Sequence, residues 1–205
     1  DRGRLGQGGA AEVRRVLDTR LNRELALKRL RSDRLGERRR VEKLVEEAQI
    51  TSQLNHPGII PVHDIGHLEN GQFFFTMPIV QGKTLSQVCD ELHGTVRDGE
   101  WGETEDGWTF RRIIDAFKSV CVTVAYAHSQ NVIHRDLKPQ NIMLGEHGEV
   151  FVLDWGIAKI ISEDETFSTA STRLPTPPQI SLRPGTEACQ TIAGSIFGTP
   201  AYMSP

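Results

Sequence analysis

Apolar residues in this chain recur in two rhythms, and the places where the rhythm changes mark its elements. Over residues 24–30, Ala26, Lys28 and Leu30 alternate with Leu25 and Leu27, so a strand there carries one set on each face. Val13, Val16 and Leu17 supply an earlier strand, set off by the turn-like Leu21-Asn22-Arg23 and preceded by a glycine run. Residues 37–54 shift to three- and four-residue steps through Val41, Leu44, Val45, Ala48 and Leu54, which predicts a helix. Phe73 to Val80 is an apolar strand closed by Pro78 and followed by Gly82. A short helix is expected over residues 84–92, then a polar, glycine- and acid-rich stretch over 94–107 that predicts an exposed insertion. Residues 110–128 give the clearest helix, with Ile113, Ile114, Phe117, Val120, Cys121, Val124 and Ala125 as one apolar stripe. Past the apolar pair Val132-Ile133, residues 142–144 and 149–153 are short apolar strands. From 161 to 195 the rhythm stops. Eleven Ser or Thr and the prolines Pro175, Pro177, Pro178 and Pro184, with few large apolar residues, predict a segment that does not order by itself.

Composition narrows the classes this pattern can serve. A chain of 205 residues can bury a sizeable core, as one large domain or two small lobes. Lys and Arg number 24 against 27 Asp and Glu, so there is no global electrostatic footprint for nucleic acid or an anionic membrane. Cys89, Cys121 and Cys189 are odd in number, far apart and without a CxxC, which points away from a disulfide framework or a zinc site and toward a reducing, cytoplasmic setting. No apolar run approaches the roughly 18 residues of a membrane helix, and no signal segment opens the chain. Because the first residue is Asp1 rather than Met, further sequence is expected upstream, and an anchor there stays open.

Chemistry concentrates in His134-Arg135-Asp136-Leu137-Lys138-Pro139-Gln140-Asn141, a base, a cation and a metal-binding amide within one short loop. Asp136 can accept a proton from a hydroxyl nucleophile, Lys138 can neutralise a transferring phosphoryl group, and Asn141 can offer an oxygen to Mg²⁺. A polar surface turn with solvated charges is the bland alternative. Lys28, set between apolar neighbours on its strand face, needs an anion. Glu46 shares the polar side of the 37–54 helix with Glu42, Gln49 and Gln53 and reads as solvated. Glu47 lies with Leu44, Ile50 and Leu54 on the apolar side, where an unpaired carboxylate is costly, so Glu47 is paired with Lys28. The run Arg38-Arg39-Arg40 reads as a solvated helix start, with a docking surface as the alternative. Asp154 ends a buried strand and precedes Gly156, which allows the chain to turn and makes the carboxylate a natural metal ligand; a plain turn former is the alternative. The stretch Leu5-Gly6-Gln7-Gly8-Gly9-Ala10-Ala11-Glu12-Val13 supplies glycines where backbone must approach phosphate oxygens without a Cβ in the way.

In this order the motifs resemble those of protein kinases, in the HRDLKPxN form of the serine/threonine branch and of bacterial eukaryotic-like type. Asp154-Trp155-Gly156 is similar to DFG with Trp155 for phenylalanine, and Ala11 replaces the third glycine of the phosphate lid. The resemblance implies an α+β bilobal fold: a small antiparallel β-sheet lobe with one key helix, and a mainly helical lobe. It places the small lobe and ATP lid at 1–80, the first part of the large lobe at 81–160 and an activation segment at 161–205. It implies ATP bound by the Leu5 to Val13 stretch, with Ala26 against the adenine, Lys28 on the α and β phosphates, Met77 behind the base, backbone of Pro78 to Val80 along its edge and Leu144 in the floor beneath it. Pro78, lacking an N–H, can offer only its carbonyl. Asp136, Lys138, Lys28 and Glu47 are then catalytic, and Asn141 and Asp154 hold Mg²⁺, with Mn²⁺ as an alternative. Gly198-Thr199-Pro200-Ala201-Tyr202-Met203-Ser204-Pro205 resembles GTPxYMSPE, which brings Thr199 near Asp136 and Lys138. Thr191 and Ser195 are the expected regulatory phosphosites, with Arg135 as a cationic partner. Protein substrates bearing Ser or Thr are implied, and a homodimer for autophosphorylation is an option. Because the family's further helices would follow Pro205, part of the 110–128 stripe is expected to be exposed. A pseudokinase scaffold using the same pocket and, on the glycines alone, a dinucleotide-dependent oxidoreductase remain alternatives at this point.

Overall fold

The computed structural model describes residues 1–7, 11–31, 38–161, 180 and 198–203. Gly8, Gly9, Ala10, Thr191 and Ser195 lie outside them, as does nearly all of the 161–195 segment.

The chain folds into two packed regions of α+β structure, with the catalytic-looking residues between them. The first is a five-stranded antiparallel sheet of β1 (Arg4–Gln7), β2 (Ala11–Asp18), β3 (Arg23–Leu30), β4 (Asp64–His67) and β5 (Phe73–Met77) in the order β1-β2-β3-β5-β4. Asn22, with φ 48°, turns β2 into β3, a conformation asparagine tolerates better than most residues. The strands on either side of Lys28 fix its position, since it pairs across from Val13 on β2 and Phe75 on β5. Helix α1 (Arg38–Gln53) covers one face of this sheet, and Leu30, Leu44, Ala48, Phe73 and Phe75 form the core between them.

The second region holds α2 (Leu85–His93), α3 (Phe110–Ser129) and two small antiparallel sheets: β6 (Gly82–Thr84), β8 (Ile142–Gly145) and β9 (Val150–Val152), and the pair β7 (Val132–Ile133) with β10 (Lys159–Ile160). Thr84 caps α2 in a reciprocal capping box with Gln87. Gly82 has φ 146°, and a Cβ there would collide with the Leu144 carbonyl, so the crossing from one region to the other needs a glycine. A single core runs through this region from Leu85 and Val88 to Val120, Val132, Leu144, Val152 and Trp155.

Helix α3 buries only part of its apolar stripe, in keeping with the expectation that some of it is exposed. Its buried face is Ala116, Val120, Thr123 and Ala127, while Ile114 and Phe117 are 50% and 55% exposed and Cys121 is also outside. Small residues win the inner face because neighbouring backbone comes close: a Cβ on Gly58 would overlap Thr123. The 94–107 stretch is mostly exposed as expected, yet it is tied down. Lys83 bridges Glu91 and Asp106, and Thr104 accepts a hydrogen bond from the Trp108 amide.

The two regions are joined at the end of α1. The Tyr126 hydroxyl of α3 accepts from the Asn55 amide at 3.0 Å, and the Tyr126 ring stacks on His56. Val152 donates to the Gly58 carbonyl at 2.8 Å. These contacts hold the α1 carboxylate side against the strand that leads to Asp154.

Candidate active site

β3 presents Lys28 and α1 presents Glu47, with Lys28 Nζ 2.5 Å from Glu47 Oε1. Their side chains are 14% and 9% exposed, so each charge relies on the other. Burial alone would lower the Lys28 ammonium, but the carboxylates of Glu47 and Asp154 outweigh it and hold it above its ordinary value. Burial pushes the Glu47 carboxyl up, and the nearby ammonium opposes this. Glu46 is half-buried rather than fully solvated, and burial with neighbouring Glu42 raises it as well.

Asp154 receives the second contact from Lys28, at 3.2 Å to Oδ1, and this cation holds its carboxyl below the usual range. Its φ of 61° turns the chain immediately after β9. Trp155 anchors that turn from beneath: it is 2% exposed, donates from Nε1 to the Val152 carbonyl at 3.2 Å and meets the His134 ring edge-on. Gly156 lets α1 approach, since a Cβ there would press on both Asp154 and Glu47 at 3.3 Å.

The loop between β7 and β8 is organised by His134, which the octet contained but to which sequence reasoning gave no role. Its Nδ1 accepts from the Asp136 amide at 3.2 Å, which leaves Nε2 as the protonated nitrogen, donating to the Leu153 carbonyl at 2.8 Å. Burial lowers its pKa, in keeping with a neutral ring. Arg135, at φ 65°, directs its Nε to the Ile157 carbonyl at 2.6 Å. Asp136 gathers three donors. Lys138 reaches Oδ2 at 2.7 Å, Thr199 reaches Oδ1 at 2.7 Å, and Asn141 Nδ2 lies 3.2 Å from Oδ2. Burial works against the Asp136 carboxylate, but the hydrogen bonds from Lys138 and Thr199 outweigh it, and its pKa falls. Lys138 also donates to Thr199 Oγ1 at 2.9 Å, closing a three-residue ring. Gly198 permits this closure: at φ 109°, a Cβ would sit 2.5 Å from the Arg135 carbonyl.

Asn141 is buried, and its amide nitrogen is committed to the Asp136 carbonyl and carboxylate. Among the described residues its Oδ1 accepts no hydrogen bond, so that oxygen and the Asp154 carboxylate are the pair suited to a hard cation. Among the described residues no group of three His, Cys, Asp or Glu forms a metal cage. Mg²⁺ does not require one, because it keeps waters and takes phosphate oxygens beside one or two protein ligands.

A cavity of about 540 Å³ opens between the two regions and is lined by Lys28, Glu47, Asp136, Asn141 and Asp154 together. Of the residues expected to bind ATP, Ala11, Val13, Lys28 and Met77 line it. Ala26 and Leu144 are buried in the two regions, at 4% and 2% exposure, and Ala26 pairs across from Met77. Leu5 is 40% exposed on β1, Gly6 and Gln7 complete that strand, and Glu12 is held by Arg29 at 2.9 Å. Pro78 and Val80 lie half-buried between β5 and β6. Arg40, read from the sequence as part of a solvated helix start, lines the cavity along with Lys43 and Gln140. Only the packing of α1 against β3 could reveal that.

A family model described as protein kinase domain matches residues 1–205. The chain is 38% identical over 206 residues to the serine/threonine-protein kinase PknD of Protochlamydia amoebophila, covering 98% of this chain and 20% of that protein. It is 36% identical over 208 residues to PknD of Chlamydia caviae and 34% identical over 213 residues to PknD of Chlamydia trachomatis serovar D, again with 98% of this chain and 20% and 21% of theirs. The chain thus spans about a fifth of the length of these curated relatives.

Proposed function

The chain belongs to the protein kinase family, and from that premise we propose that it is a serine/threonine protein kinase, moving the γ-phosphoryl group of ATP to Ser or Thr hydroxyls of proteins. One observation carries the reading. A buried cation paired across two elements, a carboxylate beside it and a hydrogen-bonded base all face one cavity, and phosphoryl transfer needs those groups together.

Lys28, held by Glu47, supplies positive charge at the nucleotide phosphates. Asn141 Oδ1 and Asp154 are the metal ligands, and bound Mg²⁺ or Mn²⁺ supplies neutralisation of phosphate charge. Asp136 orients the acceptor hydroxyl and takes its proton. Its lowered pKa suits a loose transition state, in which the proton leaves late and a strong base is not required. Lys138 offsets charge on the transferring group, and Thr199 fixes Asp136 Oδ1. Residues 1–80 form the nucleotide lobe, 81–160 the start of the catalytic lobe and 161–205 the activation segment. Thr191 and Ser195 are its regulatory phosphosites, with Arg135 as the cationic partner of a phosphate. The protein acts in bacterial signalling in the cytoplasm on protein partners, with homodimers as the route to autophosphorylation. No helix among the described residues is long and apolar enough to cross a membrane.

The test is transfer of radiolabelled phosphate from ATP to a generic protein substrate by the protein and by its Asp136→Asn variant. Transfer by the first and a loss of about 10²–10⁴-fold in the second is expected. Absence of transfer with Mg²⁺-ATP still bound would replace the enzyme with a nucleotide-binding scaffold.

A further inference from the structure

The 94–107 stretch takes no part in the cavity, yet its backbone is built into a definite shape. Arg97 and Glu100 exchange backbone hydrogen bonds at 3.1 and 2.9 Å around Asp98 (φ 52°) and Gly99 (φ 82°), so a two-residue left-handed turn closes a hairpin. The Gly102 amide donates to Thr95 Oγ1 at 3.1 Å, and Thr95 donates to the Leu92 carbonyl at 2.7 Å, which ties the hairpin to the end of α2. This sets Trp101 against Phe110, the first residue of α3, with the rings stacked at 5.3 Å, and brings the Trp101 ring to the His93 ring at 5.1 Å in an edge arrangement. Trp101 and Phe110 nevertheless stay 44% and 48% exposed. Adjoining aromatic rings that are fixed in place and still open to water mark a contact surface. The charge around them is one-sided. Residues 90–107 hold seven acids against the single Arg97, whose guanidinium is turned onto the Gly94 and Val96 carbonyls. Lys83 matches Glu91 and Asp106, whereas Asp90, Asp98, Glu100, Glu103 and Glu105 are exposed and make no ion pair among the described residues.

We propose that Trp101 and Phe110 form a docking surface for an arginine-bearing segment of another protein, with one guanidinium laid on the Trp101 ring and neighbouring cations met by the carboxylates of the hairpin. The chain holds the same contact internally a few residues away, where the Arg112 guanidinium lies over the buried Trp108 ring at 4.0 Å. Among the described residues no cation lies over Trp101. Arginine fits better than lysine, because its flat and weakly hydrated guanidinium stacks on a ring while still pairing with carboxylates. An acidic segment would be repelled, and an apolar one would leave the carboxylates unmatched. Neither Trp101 nor Phe110 lines the cavity, so docking here stands apart from phosphoryl transfer.

The experiment follows the fluorescence anisotropy of a labelled hexaarginine peptide titrated with the protein in the absence of nucleotide, beside labelled hexalysine and hexaglutamate. Hexaarginine is expected to bind, hexalysine to bind about threefold more weakly and hexaglutamate not to bind. Trp101→Ala should weaken hexaarginine by about two- to fivefold, the effect of one exposed cation–π contact, and Trp101→Phe should recover part of the loss. Asp98→Asn combined with Glu100→Gln leaves the rings in place and should weaken hexaarginine by about fivefold while lowering the salt dependence of binding. Circular dichroism of each variant checks that the fold is kept. Equal hexaarginine binding by the protein and Trp101→Ala, equal binding of hexaarginine and hexalysine, or no hexaarginine binding would each overturn the proposal. So would self-association of the protein that Trp101→Ala abolishes in sedimentation, since the rings would then belong to an interface with a second copy. All of these are read without ATP, so they leave the kinase reading where the phosphate-transfer test puts it.

Discussion

Two lysine–carboxylate pairs each contribute to the cavity wall, through Lys28 and Glu47 and through Asp136, and they are built on different principles. Lys28 and Glu47 come from a strand and a helix 19 residues apart, meet at 2.5 Å and are nearly enclosed. Lys138 and Asp136 are two residues apart in one loop, meet at 2.7 Å and are somewhat more open, at 22% and 14% exposure. The first pair exists only while α1 stays docked on the five-stranded sheet. The second is brought together by chain connectivity and refined by Thr199 and Asn141. A site made this way has one half that responds to the placement of a helix and one half that persists.

Substitutions should separate the two halves. The largest expected effect is that of Asp136→Asn, which removes the proposed base and should leave hydrogen exchange in α1 unchanged. Lys28→Met should lower transfer by roughly 10²–10³-fold and should also speed exchange in α1; unchanged α1 protection would mean the helix does not depend on the pair. In that variant Glu47 is left buried without its cation, so its carboxyl rises further. A raised folded pKa means stability is lost as pH rises from the ordinary glutamate value near 4.3 toward the raised one, and urea unfolding across that window reads it.

Thr199→Val deletes a hydrogen bond to a charged group and should lower kcat by about 10–100-fold, with Thr199→Ser restoring it; a change in KM for ATP alone would argue against the ring with Asp136 and Lys138. Acid sensitivity comes next. Asp136 and Asp154 both have folded pKa values below their unfolded ones, so they contribute stability above about pH 4 that is lost as pH falls through the folded values. Asp136→Asn should flatten that acid slope, and an unchanged slope would assign it to other carboxylates. Smallest is Trp155→Phe, which keeps the ring but loses the bond to the Val152 carbonyl. A loss of about 0.5–1.5 kcal/mol should appear in thermal unfolding.

Legibility followed the same division. The clustering of Asp136, Lys138 and Asn141 was readable because their contacts depend on spacing within eight residues. The pairing of Glu47 rather than Glu46 was readable from helix periodicity, since only Glu47 shares a face with Leu44 and Ile50, and it is the buried one of the two. The outward side of α3 was not. Ile114 and Phe117 fit the stripe as well as Val120 does, and apolarity alone cannot say which apolar face another element will meet. His134 and Arg40 were also missed, because their significance lies in what distant parts of the chain bring against them.

What the sequence determined by itself is therefore the set of local patterns: strand and helix periods, the glycines that permit left-handed turns, and a loop whose charges are close because they are neighbours. Tertiary structure alone decided that Asp154 joins Glu47 on Lys28, that His134 reaches the Leu153 carbonyl and that Arg40 faces the cavity. The physical reason is that short-range pattern constrains backbone conformation, whereas the burial of a charge or a hydroxyl is set by whichever distant surface packs over it.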